Sequence, residues 1–193
     1  LANVDASIVN IALPSLARLF KVGTDGILGV ILAYLVAYSS LLLMFGRLAD
    51  LTGSKRLFIY GFAWFGLASL LCGLAPGLLS LQIFRAIQGI GASMILASWG
   101  ALVIQNVPAA MHGRAIGLIT VVSAIGYAVG PPLGGLILKH LNWSWIFYIN
   151  LPICLLAIPL ANHYLVDRPS DTRPHDSLDV GGAILSLFTM ILF

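Results

Sequence analysis

What constrains this chain most is the length of its uncharged stretches. Apolar runs near residues 1–20, 27–46, 57–76, 78–106, 114–138, 145–165 and 179–193 are separated by short breaks rich in charge, glycine or proline. A helix rises about 1.5 Å per residue, so each complete run can cross a hydrocarbon core of about 30 Å. Lipid offers the backbone no hydrogen-bond partners, whereas a helix satisfies its own amides, so the runs predict an all-α membrane bundle. Composition agrees: 60% of the residues are hydrophobic and 9% charged, against roughly a quarter charged in a soluble domain. A net charge of +3 gives no footing for a nucleic-acid partner. The first and last runs are incomplete at the chain ends. The sequence therefore reads as a piece of a longer protein: a six-span bundle over 1–165 with a truncated first span, a linker over 166–178, and the start of a seventh span over 179–193.

Orientation follows from the breaks. Arg47, Lys55, Arg56, Arg114, Arg168 and Arg173 fall on one side, and Arg18, Lys21 and Lys139 on the other. An excess of basic residues marks the cytoplasmic face, which places the loops 47–56, 106–114 and 166–178 there.

Polar residues inside the runs are the candidate functional groups. In the first run, Asn3, Ser7, Asn10 and Pro14 recur at helical spacing on one face, and Asp5 projects from roughly the opposite side. Asp5 lies about 20 Å along a helix from Arg18, well inside the bilayer, where an ionised carboxylate costs about 2.5–3.5 kcal/mol on insertion scales. It must be neutral, paired or facing water. Two roles stand open, a proton-exchanging group or a structural carboxyl bonded between helices. In the fourth run Arg85 sits about 12 Å from the turn at Gly77, with Gln88 one turn on, along the same face. An arginine at that depth either snorkels outward or occupies an interior polar site; Gln88 and the slender Gly89 and Gly91 favour the interior. Tyr34 and Tyr38, four residues apart beside Ser39 and Ser40, give a face that suits either a cavity wall or a helix interface. Asn10, Tyr34 and Tyr38 are the substrate-cavity candidates.

Three stretches carry local signals. Between the second and third runs, Gly46-Arg47-Leu48-Ala49-Asp50-Leu51-Thr52-Gly53-Ser54-Lys55-Arg56-Leu57 reads as a loop of about ten residues. Its glycines permit a tight reversal, Asp50 can cap amides or pair with a cation, and Lys55 and Arg56 hold it at the anionic leaflet. In the fifth run Gly126, Gly130 and Gly134 repeat every four residues, making a bare ridge that lets another helix approach, while Pro131 should bend the helix. Asn142-Trp143-Ser144-Trp145-Ile146-Phe147-Tyr148-Ile149-Asn150-Leu151-Pro152 crosses an interface with an aromatic belt. Cys72 and Cys154 lie in apolar runs without pairing or metal spacing and read as small packing residues. A weak echo of Gly46-x-Leu48 at Gly134-x-Leu136 has the three-span offset of paired three-helix repeats.

Taken in order, these pieces resemble the amino-terminal half of the major facilitator superfamily, in its fourteen-span drug:proton antiporter branch. Gly46, Leu48, Ala49, Asp50, Gly53 and Lys55 match the superfamily's loop between spans two and three, G-x-L-A-D-r-x-G-r-K, with Leu51 and Ser54 where arginines are usual. Arg85, Gln88, Gly89 and Gly91 are similar to the span-four motif R-x-x-q-G-x-G. Gly126, Gly130, Pro131, Gly134 and Gly135 match the span-five antiporter motif G-x-x-x-G-P-x-x-G-G, and Asp5 to Pro14 resembles the branch's span-one signature. Trp143 to Pro152 and the stretch from Leu178 to Ala183 are similar to further branch signatures.

The resemblance implies a helical-bundle transporter, not an enzyme. It would export small amphipathic or cationic compounds in exchange for protons by alternating access, with a carboxy-terminal half of the same transporter completing the site. Asp5, Arg85 and Gln88 would serve proton coupling, and Gly46, Asp50, Gly53, Lys55 and Arg56 a gating loop. Gly126, Gly130, Pro131, Gly134 and Gly135 would form the helix that seals the bundle. The expected partners are a small-molecule substrate, protons and the lipid bilayer of the cell membrane. No cofactor or metal is expected, the proton gradient being the driving force. Two alternatives stand beside this reading: a transporter-like sensor or scaffold without flux, and a proton-coupled nutrient importer of the same fold.

Overall fold

The computed structural model describes residues 1–167; most of the linker and the start of the seventh span lie outside them. Seven helices follow in order: α1 (Ala2–Phe20), α2 (Thr24–Thr52), α3 (Ser54–Gly73), α4 (Leu78–Asn106), α5 (His112–His140), α6 (Trp145–Tyr148) and α7 (Asn150–Tyr164). A single 3-10 turn, Ala109–Met111, precedes α5. Five segments are long and apolar enough to cross a membrane: 25–52, 54–73, 78–106, 109–140 and 145–164. The sequence of α1 is diluted by Asn3, Asp5, Asn10 and Arg18, yet Ile8, Val9, Ala12 and Leu16 on it are fully buried.

Packing pairs the first three helices with the later ones. α1 lies on α5, α2 on α4, and α3 on both α4 and α7, a pairing that suits two interleaved three-helix repeats. Much of the outward surface is apolar, with Leu43, Leu79 and Leu155 among its most exposed residues. That inversion is what lipid, which is as apolar as leucine, permits. Cys72 and Cys154 are free thiols in the buried core.

One local feature departs from the sequence reading. The expected ten-residue loop at 47–56 is almost entirely helical: α2 runs on to Thr52 and α3 starts at Ser54, leaving Gly53 alone to reverse the chain. Gly53 sits at φ 100°, a conformation a residue with a Cβ rarely adopts, whereas Gly46 lies within α2 with open space around it. α6 and α7 join at Ile149, which keeps helical dihedrals (φ −60°, ψ −22°) and donates its amide to Trp145 O at 3.1 Å. Pro152 has no amide to donate to Tyr148 C=O, which loosens the hydrogen-bond ladder there, yet residues 145–164 form one span. α5 is likewise continuous across Pro131 and Pro132.

Close approach between helices depends on the glycines. A Cβ at Gly89 would meet Tyr34 O of α2 at 2.5 Å, and one at Gly91 would meet Phe65 N of α3 at 2.7 Å. These two positions thin α4 toward two different neighbours and draw its polar residues into the middle of the bundle. On α5, Gly126, Gly130 and Gly134 face Val4, Ser7 and Ile8 of α1 respectively.

Candidate functional site

Arg85, Gln88, Asp5 and Asn150 are all buried, with exposures of 1%, 0%, 0% and 0%. Arg85 Nη1 is 2.6 Å from Asp5 Oδ2 and donates to it. Gln88 Nε2 donates to Asp5 Oδ1 at 3.1 Å, and Asn150 Nδ2 donates to the same oxygen at 2.8 Å. Gln88 is itself held on three sides: its Oε1 accepts from Arg85 Nη1 at 2.5 Å and from Cys72 Sγ at 3.8 Å, and its Nε2 donates to Ser69 Oγ at 2.7 Å. Ser69 Oγ in turn donates to Phe65 O one turn earlier, at 2.8 Å. The guanidinium lies over the Tyr34 ring, 4.3 Å from its centroid, with Phe147 at 5.9 Å. Side chains from α1, α2, α3, α4, α6 and α7 thus form one buried cluster, in which α4 and α7 supply the donors to the Asp5 carboxylate.

The physical logic is that of a charge that cannot be left alone. Taking two ions out of water costs several kcal/mol each, which the mutual attraction offsets only when geometry is good and the remaining valences are filled. Asp5 accepts three hydrogen bonds, all from donors, as an ionised carboxylate requires. The ring face of Tyr34 adds a cation–π contact, worth up to about 2 kcal/mol when desolvated. Two buried atoms of the cluster, Arg85 Nε and Asn150 Oδ1, have no hydrogen-bond partner among the described residues.

The sequence candidates divide accordingly. Asp5, Arg85, Gln88 and Tyr34 come together, and the interior position of Arg85 excludes snorkelling. Tyr38 stacks on Tyr34 with ring centroids 5.9 Å apart and planes 5° from parallel. Asn10 is exposed, as are Asn3 and Pro14, while Ser7 is buried toward α5. The proposed polar stripe on α1 is therefore split, because the bare ridge of α5 takes Ser7 and leaves the others outside. Asp50 and Arg56 are exposed beside the Gly53 turn. Lys55 reaches across to α7, Nζ donating to Asn162 O at 2.8 Å, and its amide meets Asp167 Oδ1 at 3.4 Å. Gly126, Gly130 and Gly134 form the α1-facing ridge, and Gly135 has open space beside it.

Sequence reasoning missed Asn150 and Ser69. Asn150 was visible as a polar residue just after an aromatic stretch and two residues before a proline, but nothing in the order of residues announced that helix packing would bring it to Asp5. Ser69 looked like any small residue in an apolar run.

Comparison with known proteins supplies the lineage. A family model described as Major Facilitator Superfamily matches residues 1–192. Among curated relatives, a riboflavin transporter of Clostridioides difficile is 38% identical over 194 residues, covering 100% of this chain and 42% of the relative. The multidrug resistance protein Stp of Mycobacterium tuberculosis is 40% identical, covering 94% of this chain and 34% of the relative. A puromycin resistance protein of Streptomyces alboniger is 40% identical, covering 94% and 36%. The chain thus spans well under half the length of each of these relatives. With a membrane-type helical bundle, helix pairs drawn together on glycine, and a family match over nearly all of its length, the chain belongs to the Major Facilitator Superfamily.

Proposed function

We propose that this chain is the amino-terminal part of a secondary transporter of the fourteen-span drug:proton antiporter branch, exporting small amphipathic or cationic compounds in exchange for protons. The observation that carries the reading is the Asp5–Arg85 pair, enclosed by six helices within a membrane bundle. Ionisable side chains inside membrane spans are expensive to bury and mark ion and proton pathways, which supports exchange at this pair. In the ionised state Asp5 neutralises Arg85. Binding of a proton removes that counter-charge, frees the guanidinium, and favours a different arrangement of the helices around it. A cationic substrate competes with the proton for the same negative charge, which makes the exchange obligatory.

The exposed face of α1 with Asn10, together with half-buried Tyr38, would line the substrate path against the carboxy-terminal half, with Tyr34 buried behind them beneath Arg85. The 47–56 segment with Asp50, Lys55 and Arg56 would latch the cytoplasmic side through α7. The multidrug and puromycin resistance names of two relatives support export. A second reading, a proton-coupled importer of the same fold, takes its support from the relative named as a riboflavin transporter.

Proteoliposomes of the full-length transporter test both. With the lumen acid, uphill accumulation of a lipophilic cation inside, coupled to proton exit, is the antiporter result for protein inserted inside-out. Substrate moving in the same direction as protons gives the importer. Binding with no flux under any pH gradient removes transport.

A further inference from the structure

We propose that Asn150 is the residue that lets Asp5 exist in two protonation states, its carboxamide donating to the ionised carboxylate and, turned over, accepting from the protonated one. This deepens the proton-exchange reading above and rests on it.

All three partners of Asp5 are donors: Arg85 Nη1, Gln88 Nε2 and Asn150 Nδ2. When the carboxylate takes up a proton, one O–H bond forms, the negative charge disappears, and the new hydroxyl needs an acceptor. Arg85 has no acceptor to offer. Gln88 has one, but its Oε1 already receives Arg85 and Cys72, and its Nε2 holds Ser69. Turning Gln88 over would break that set. Asn150 differs: among the described residues its only side-chain hydrogen bond is the one to Asp5, and its Oδ1 is enclosed without a partner. Rotation by half a turn about Cβ–Cγ exchanges Oδ1 and Nδ2 and forfeits nothing at the far end. The orientation of Asn150 is therefore set by the charge on Asp5.

The backbone supports the placement. Asn150 is the first residue of α7, two residues before Pro152, and it is fully buried. The other charged or titratable groups around Asp5 are Arg85 on α4, Tyr34 on α2, Cys72 on α3 and Cys154 on α7. From α5 the residues packed toward α1, Gly126, Gly130, Gly134 and Ile137 among them, bring no charge.

Infrared difference spectra between high and low pH test this on the full-length transporter in liposomes, with asparagine isotope-labelled at the side-chain carbonyl. The Asn150 band is the one lost in Asn150→Leu, or in Asn150→Ser where the leucine variant does not fold. On acidification it should shift to lower frequency as Oδ1 gains a hydrogen bond, with the same midpoint as the carboxylic band lost in Asp5→Asn. Proton-coupled flux in the folded Asn150 variant should fall about tenfold. A carboxylic band from Asp5 with an unmoved Asn150 band, or undiminished flux in the variant, overturns the role of Asn150 and leaves proton exchange standing. If no Asp5 carboxylic band appears at any pH, proton exchange at Asp5 falls and the Asn150 proposal with it.

Discussion

Gly130 on α5 faces Ser7 on α1 so closely that a methyl group added to the glycine would overlap the serine hydroxyl. That hydroxyl is turned back onto its own helix, donating to Val4 O at 3.0 Å, and so presents nothing that needs a partner on α5. The same helix carries Asp5, so the seating of α1 on α5 also fixes where the buried carboxylate stands.

Gly130→Ala should destabilise the bundle by about 1–3 kcal/mol, the usual cost of overpacking a closed interface. Gly135→Ala, on the same helix but with open space where the methyl would go, should leave stability unchanged. Thermal unfolding of the full-length protein in detergent compares the two, and equal losses would deny the α1–α5 seating.

Arg85→Met leaves the Asp5 carboxylate buried without its cation and should cost about 3–5 kcal/mol. Asp5→Leu combined with Arg85→Met, which removes both charges, should recover most of that loss in the same unfolding assay. Proton-coupled flux should stay absent in the double variant. Recovery of both stability and coupling would take the pair out of the mechanism.

Gly53→Ala forces a side chain into φ 100° beside Asp167 and should cost about 1–3 kcal/mol of local strain. Gly46→Ala, within helical α2, should be neutral or stabilising by up to about 1 kcal/mol through helix propensity. Were Gly46 the turn, the two substitutions would trade places, which thermal shift measurements on the pair resolve.

Asn106 ties the end of α4 to the exit of α7: its Nδ2 donates to Val166 O at 3.2 Å and its Oδ1 accepts from Val166 N at 2.8 Å. Asn106→Leu removes both bonds, each worth about 0.5–1.5 kcal/mol net. Hydrogen exchange at residues 165–167 should accelerate by about tenfold or more, while exchange in the middle of α3 stays as it was. Unchanged exchange at 165–167 would show that this bridge does not hold the segment.

The order of residues was enough to establish a membrane helix bundle, because the cost of unsatisfied backbone in lipid leaves long apolar runs no other structure. It also singled out Asp5, Arg85 and Gln88, since ionised or amide groups far from the ends of such runs are expensive wherever they sit, and that expense is a property of position along the chain. The glycine ridge of the fifth helix was legible by its spacing. Tertiary structure alone decided who meets whom. Eighty residues separate Asp5 from Arg85 in the chain, and only the thinning of α4 at Gly89 and Gly91 brings α2 and α3 near enough to enclose them. The loop expected at 47–56 became helix because a single glycine at positive φ reversed the chain in one residue. Asn150 joined the site because the packing of the sixth span against α1 and α3 brings its amide to Asp5, 145 residues away in the chain. Spacing in a sequence reports which residues share a helix face; which face meets which is fixed by how closely backbones can approach, and that is a property of the assembled bundle.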